Sequence, residues 1–289
     1  MADSLRNTLS IVDDATLSVP ENKKNLSIEL LPDGFVFSVM DADRFRFLAL
    51  EDHRIEQAPW EVDPVAHLGY FLTKNPLSGK DYQKVIISYY SPHLILVPGA
   101  TYNPDEKEAA FSFCTPVPGN HYIWSDRLHV MDGYGIYSIP KDLADFIERM
   151  LPGCRIRHYG SGLIENVLAA GKLEKWDADV VLHIRSSHFE LLIIRDDQLE
   201  YYRSFPYREF DDLLYYLFYV LEQQKMKAGQ HGLMVIGELG LDSPGFKTLN
   251  GFFRDVSFPR RNDMFLYSPV FEEVPHHYYF NLLNLNICG

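Results

Sequence analysis

Apolar residues fall in short alternating runs broken by tight polar turns, and the same succession of runs occurs twice along the chain. Residues 26–31 read as a strand. Pro32-Asp33-Gly34 follows as a turn, because Pro presets φ and Gly accepts a positive φ. Residues 35–40 read as a second strand, Asp41-Ala42-Asp43 as another turn, and residues 44–50 as a third strand in which basic and apolar side chains alternate. After Pro64 the spacing predicts a helix over 65–73, then an apolar strand over 84–89. From 179 the order returns. Strands are predicted over 179–185, 189–194 and 199–205, a helix over 210–225 and a strand over 232–236. A strand-strand-strand-helix-strand unit met twice marks an internal duplication. The helix over 210–225 is apolar round most of its circumference, which predicts a buried helix.

Between the two copies lies a different segment. Residues 122–130 and 135–139 read as two strands joined by Met131-Asp132-Gly133. Pro140 opens a helix over 141–150, with Leu143, Phe146, Ile147 and Met150 on one face, and Pro152-Gly153 ends it. Residues 155–159 read as a short strand. Gly160-Ser161-Gly162 reads as a turn, with Ser161 as the N-cap of a helix over 163–170. Residues 1–25 read as a polar leader with one short strand. No low-complexity linker interrupts the chain. The expected division is a first lobe over 1–160, including a mid-chain insertion at about 115–160, and a second over 161–289. The C-terminal segment of the second is a candidate to return to the first. The expected fold class is α/β, with mixed sheets covered by helices.

Composition narrows the partners. Hydrophobic residues make up 46% of the 289, and 23% are charged, which is ample for a core. Eighteen Tyr and 19 Phe raise the aromatic share to 14%, and rings suit partner surfaces as well as cores. The formal net charge of −13 repels phosphate backbones. The basic pairs Lys23-Lys24 and Arg260-Arg261 are too short to offset it, so no nucleic-acid partner is expected. Cys114, Cys154 and Cys288 are odd in number, widely spaced and free of CxxC, and are expected to be free thiols. The N-terminus lacks an apolar signal region, and the longest apolar run, near residues 213–221, is far short of a bilayer span. A cytoplasmic protein without a transmembrane segment is expected.

Few positions invite chemistry. His183 and His188 flank a turn of the second repeat, and no acid or Cys stands at ligand spacing, so they read as polar turn residues. His276 and His277 are adjacent and diverge on any regular element. Gly160-Ser161-Gly162 has neither the spacing of a nucleophile elbow nor the Lys of a phosphate loop. Gly237-Glu238-Leu239-Gly240 follows an apolar strand and precedes Ser243-Pro244-Gly245 and a helix. Glycines there can admit a nucleotide to the backbone or make a plain turn.

This order of elements resembles the actin-like ATPase fold, a duplicated ribonuclease H-like two-lobed fold, over residues 26–258. Within that group it looks most like the actin-like proteins of type IV pilus assembly, and it resembles an uncharacterised bacterial family with this fold. The resemblance implies that two hairpin turns hold phosphates, each with an Asp, an apolar residue and a Gly followed by small hydroxyl residues. Here the first turn reads Glu29-Leu30-Leu31, then Pro32-Asp33-Gly34, so Glu29 keeps an acid and Leu31 replaces the glycine. The second reads His183-Ile184-Arg185-Ser186-Ser187, where only Ser186 and Ser187 fit and Arg185 replaces the glycine. The adenosine-type segment survives as Gly237 to Gly240, with Glu238 where a glycine usually lies. Glu29, Arg185, Ser186, Ser187, Gly237 and Gly240 would line any residual nucleotide cleft.

The resemblance with degenerate turns implies a pseudo-ATPase scaffold that binds protein partners, with no catalytic residue, metal or cofactor expected. The aromatic tail at residues 276–280 is one candidate contact point, and packing of that tail on the first lobe is the alternative. The alternative function is a nucleotide-binding ATPase or small-molecule kinase using ATP and Mg²⁺ at an atypical phosphate site.

Overall fold

A computed structural model describes residues 5–55, 63–78 and 81–287. Two units form. The first comprises Met1–Gly162, Asp263–Glu273 and Asn281–Gly289, and the second comprises Leu163–Asn262 and Val274–Phe280.

The first unit contains β1 (Leu5–Val12), α1 (Ala15–Ser18), β2 (Lys24–Leu31), β3 (Gly34–Asp41), β4 (Arg46–Ile55), α2 (Pro64–Lys74) and β5 (Lys84–Tyr89). It continues with β6 (Leu94–Pro98), α3 (Lys107–Cys114), β7 (His121–Leu128), β8 (Gly133–Pro140), α4 (Lys141–Met150) and β9 (Arg155–His158). Helix α5 (Tyr159–Glu174) follows. The second unit carries β10 (Val180–Ile184), β11 (His188–Arg195), β12 (Gln198–Pro206), α6 (Phe210–Gln223), β13 (Gly232–Gly237), α7 (Pro244–Phe252) and β14 (Asp255–Ser257). Strand β15 (Leu266–Tyr267) and helix α8 (Phe280–Asn284) close the chain.

Both main sheets use one topology. The first runs β1-β4-β3-β2-β5-β9, with β15 beside β4, and the second runs β12-β11-β10-β13-β14. In each, three strands form an antiparallel meander and two more add in parallel to its first strand. The meanders lie in separate sheets, as the duplicated pattern requires. A third sheet, β6-β8-β7, is antiparallel.

The cores follow from alternation. Leu26, Ile28 and Leu30 on β2, with Phe35, Phe37 and Val39 on β3, meet Leu68 and Phe71 of α2 and Leu143 and Ile147 of α4. In the second unit Val180, Leu182, Ile184, Phe189, Leu191 and Ile193 meet Leu213, Leu217 and Leu221 of α6. The helix starts are chemically marked. Asp63 accepts from the Val65 and Ala66 amides below Pro64, Glu209 and Asp212 cap α6 reciprocally, and Ser243 accepts from Phe246 N.

Several expectations change. The one short strand expected in the polar leader is present but longer, an eight-residue edge strand paired to β4. Strand β4 outruns its apolar stretch because its polar end is paired: Ser10 Oγ donates to Glu51, and Arg54 grips Asp52. No element was expected over residues 90–120, where β6 and α3 form. The Gly160-Ser161-Gly162 turn does not exist, because α5 already runs through it. His158 caps that helix instead. Its Nδ1 accepts from Gly160 N at 3.0 Å and its Nε2 donates to Ser91 O at 2.9 Å. Nor is α6 buried on all sides, since Tyr215 and Tyr219 face solvent.

Among the described residues no helix is long and apolar enough to cross a membrane. Cys114 and Cys154 are free thiols, and Cys288 lies outside the described residues.

Candidate functional site

The two turns that the fold would use for phosphate are hairpins of matched register. Leu31 pairs with Gly34 across Pro32-Asp33, and Glu29 pairs with Val36. In the second hairpin Arg185 N donates to His188 O across Ser186-Ser187, and His183 pairs with Glu190. Position for position, Glu29 matches His183, Leu31 matches Arg185, and Val36 matches Glu190.

In the first hairpin Glu29 is buried, and its carboxylate accepts from Asn281 Nδ2 at 2.9 Å. The contact belongs to a row. Asn286 Nδ2 donates to Ser27 Oγ at 3.1 Å, and Asn25 reaches Asn286 at 3.4 Å. The polar face of β2 is thus met by asparagines from the C-terminal segment. At the turn, Asp33 takes Arg54 Nη1 at 2.8 Å, while Arg54 holds Asp52 through Nε and Nη2 at 2.7 and 2.8 Å. Leu31 is buried and apolar. Gly34 has a positive φ of 148°, and a Cβ there would lie 2.0 Å from His53 O. Its missing side chain serves the approach of β4.

The second hairpin holds a buried polar cluster that the sequence reading missed. His183 Nδ1 lies 2.9 Å from Glu190, and His188 Nε2 lies 3.4 Å from the same carboxylate. Ser204 Oγ donates to Glu190 at 3.2 Å, and Ser187 Oγ contacts His188 Nδ1 at 3.2 Å. His183 and His188 are therefore not ordinary polar turn residues but buried partners of an acid. Burial lowers His183 to about 3, with Arg185 adding to the effect and Glu238 opposing it, and burial raises Glu190. The signal was present in the register: in a hairpin with a two-residue turn at 186–187, residues 183 and 190 must face each other.

Arg185 is also buried. Its Nη1 pairs with Glu238 at 2.9 Å, and Tyr207 Oη donates to Arg185 O at 2.5 Å. The structure thus brings together Arg185 and the loop of Gly237 and Gly240 through Glu238, the acid that stood where a glycine was expected. Ser186 is exposed and Ser187 half-buried on the turn.

Three backbone donors on that loop are committed. Gly237 N donates to His277 O at 2.8 Å, Glu238 N to Ile184 O at 2.7 Å and Leu239 N to Gly237 O at 3.0 Å. Gly237 has φ 88°, and a Cβ would lie 2.1 Å from Ile184 O. This glycine permits two strands of the same sheet to approach. Gly240 meets only Tyr278 Oη, at 3.6 Å. A phosphate brought to Gly237, Glu238 and Leu239 would find these three amides already donating to carbonyls, so these three do not fit a phosphate cradle. Among the described residues no group of three or more His, Cys, Asp or Glu is arranged to hold a metal ion.

In the aromatic tail His276 is exposed, whereas His277, Tyr279 and Phe280 are buried. His277 lies tilted over Phe258 at 3.9 Å and contacts Leu239 O at 2.9 Å, and Phe280 meets Trp176 at 6.2 Å. These contacts lie within the second unit, whereas the asparagines after Phe280 serve the first.

No curated protein is significantly similar to the chain. Among solved structures, one similar fold is a Bacteroides thetaiotaomicron protein with actin-like ATPase fold and unknown function. Its TM-score is 0.75 at 19% identity, covering 94% of this chain and 98% of that one. Another is in the PilM–PilN type IV pilus biogenesis complex, with a TM-score of 0.55 at 12% identity, covering 93% and 98%. The fold is therefore actin-like. Residues 14–256 match the family described as Protein of unknown function (DUF3822), and the chain belongs to that family.

Proposed function

We propose that this chain is a non-catalytic member of the actin-like fold, a scaffold that works by binding another protein. The observation that carries the reading is the committed second turn and adjoining loop: Arg185 is paired with Glu238, and the amides of Arg185, Gly237 and Glu238 donate within the chain. Phosphoryl transfer depends on preorganised donors around the transferred group and on a carboxylate that orients metal or water. Here the acid position of the second turn is His183, and magnesium favours oxygen ligands. Glu29, the one acid kept, accepts from Asn281. A fold neighbour found in a protein complex, PilM–PilN, is consistent with binding as the function of such a frame.

Phosphate release from Mg-ATP by purified protein tests the reading, with Glu29→Ala as the control. No turnover above that control is expected. Turnover of about one per second, within the ordinary kinase range, and abolished by Glu29→Ala, would overturn it. Thermal unfolding with ATP, ADP and Mg²⁺ adds a second arm. A ligand bound only to the folded state must raise Tm, and no rise is expected.

A further inference from the structure

Helix α6 reads Phe-Asp-Asp-Leu-Leu-Tyr-Tyr-Leu-Phe-Tyr-Val-Leu-Glu-Gln and buries only one face, through Leu213, Leu217, Val220 and Leu221. Its other face is aromatic and open. Tyr215 is 66% exposed, Tyr219 52%, and Phe252 of the neighbouring α7 50%. Phe218 packs edge-on against Phe252 at 4.8 Å, and Tyr215 and Tyr219, one turn apart, lie near-parallel at 6.3 Å. Together they line an open groove of about 530 Å³, and the charged residues among its lining, Asp211 and Glu222, are both acidic. Exposed aromatic residues are scattered singly on most surfaces, whereas a contiguous aromatic groove marks an interaction site.

We propose that this groove docks a basic segment of a partner protein, one carrying Lys or Arg beside an apolar anchor. The proposal rests on the scaffold reading and names the partner's chemistry. Charge complementarity selects this occupant. Aromatic faces attract cations, Arg most often, and two carboxylates at the groove add a Coulombic preference of the same sign. A second copy of this chain is disfavoured, because each carries a net charge of −13. An apolar anchor fits between the rings, where buried aromatic contacts carry most of the affinity of an interface.

The test is a display selection of random 16-residue peptides on the full chain, followed by binding measurements on a recovered peptide. Enrichment of Lys and Arg flanking an apolar residue is expected, with affinity falling at least tenfold in Tyr215→Ser/Tyr219→Ser and in Asp211→Lys/Glu222→Lys. These side chains face solvent, so both variants should unfold at nearly the wild-type temperature. Acidic or neutral peptides, no enrichment, or binding unchanged in the Tyr variant would each overturn the proposal. So would wild-type dimerisation that the Tyr variant abolishes, because a second copy would then occupy the groove. None of these outcomes touches the scaffold reading, which fails only on nucleotide turnover or binding.

Discussion

In the first hairpin an acid stands on the leading strand, Glu29, opposite the apolar Val36, and it accepts from outside the hairpin, from Asn281. In the second the leading strand carries His183, and the acid stands opposite, as Glu190. Its partners lie within the meander: His183, His188 and Ser204. The backbone is the same in both, with a two-residue turn and one register. The difference shows that hairpin geometry is set by alternation and turn length, which many side chains satisfy, whereas phosphate chemistry needs particular residues at a few positions. At those positions the side chains of both halves are held by partners within the chain, but by different means. One is solved with asparagines and an arginine clamp, the other with a buried imidazole and carboxylate cluster.

The strongest test asks whether the glycines serve the chain or a ligand. At Gly237, an alanine must enter at φ 88° with its Cβ 2.1 Å from Ile184 O. Gly237→Ala should cost about 3 kcal/mol or more, measured by denaturant unfolding. Gly240→Ala meets nothing closer than 3.6 Å and should cost about 1 kcal/mol or less. Equal costs would show that the loop is held by something other than the Gly237–Ile184 approach.

Removing each acid separates the two designs. Glu190→Leu should cost about 3 kcal/mol, because it strips a buried acceptor from His183 and Ser204 at once. Glu29→Gln should cost about 1 kcal/mol or less, since an amide oxygen accepts from Asn281 as a carboxylate does. A Glu29→Gln penalty as large as that of Glu190→Leu would mean that charge at Glu29 is required, and the two hairpins would be more alike than their contacts indicate.

Much of this frame was legible in the sequence, and the boundary of legibility has a physical basis. The meanders and their turns follow from alternation within about 25 residues, and both were readable. His183 facing Glu190 follows from register alone and could have been read. Asn281 on Glu29 and His277 O on Gly237 N join residues 252 and 40 positions apart, and no local pattern encodes them. Helix α6 misled because its circumference is apolar on two faces for two purposes, one for the core and one open. At Gly160-Ser161-Gly162 the residues suited a turn, but His158 supplied the cap one turn earlier in the chain.

A pH experiment sharpens the contrast, because β2 and β3 carry no histidine. His183 lies at about 3 in the folded protein, well below the ordinary imidazole value. The unfolded chain therefore takes up a proton at His183 as pH falls below about 6.5, and the folded chain does not. The folded state loses stability on acidification through that window. Relative to His183→Gln, the wild type should lose about 2 kcal/mol between pH 7 and pH 5, from about 1.4 kcal/mol per pH unit below the unfolded value. Taking the difference cancels His158 and Asp126, which titrate in both proteins. A difference that stays flat would mean that His183 and Glu190 take up a proton together in the folded state.

The smallest expected effect compares the second turn residues, Asp33 and Ser187, which occupy matched places. Asp33 receives Arg54 Nη1 at 2.8 Å, and Arg54 is held in place by its double contact with Asp52, so the clamp is preorganised. Charge-assisted bonds of this kind are stronger than neutral ones. Asp33→Ala should therefore cost about 1.5 kcal/mol. The Ser187 hydroxyl contacts the neighbouring His188, at 3.2 Å, and this half-exposed group can turn to water when that contact is lost. Ser187→Ala should cost about 0.5 kcal/mol. The order of the two carries the argument. If the serine turn still served a phosphate, Ser187→Ala would leave stability alone but abolish a nucleotide-dependent rise in Tm. If it is structural, no such rise exists to abolish, and the two alanine variants differ only in how firmly each turn is fastened to its own sheet.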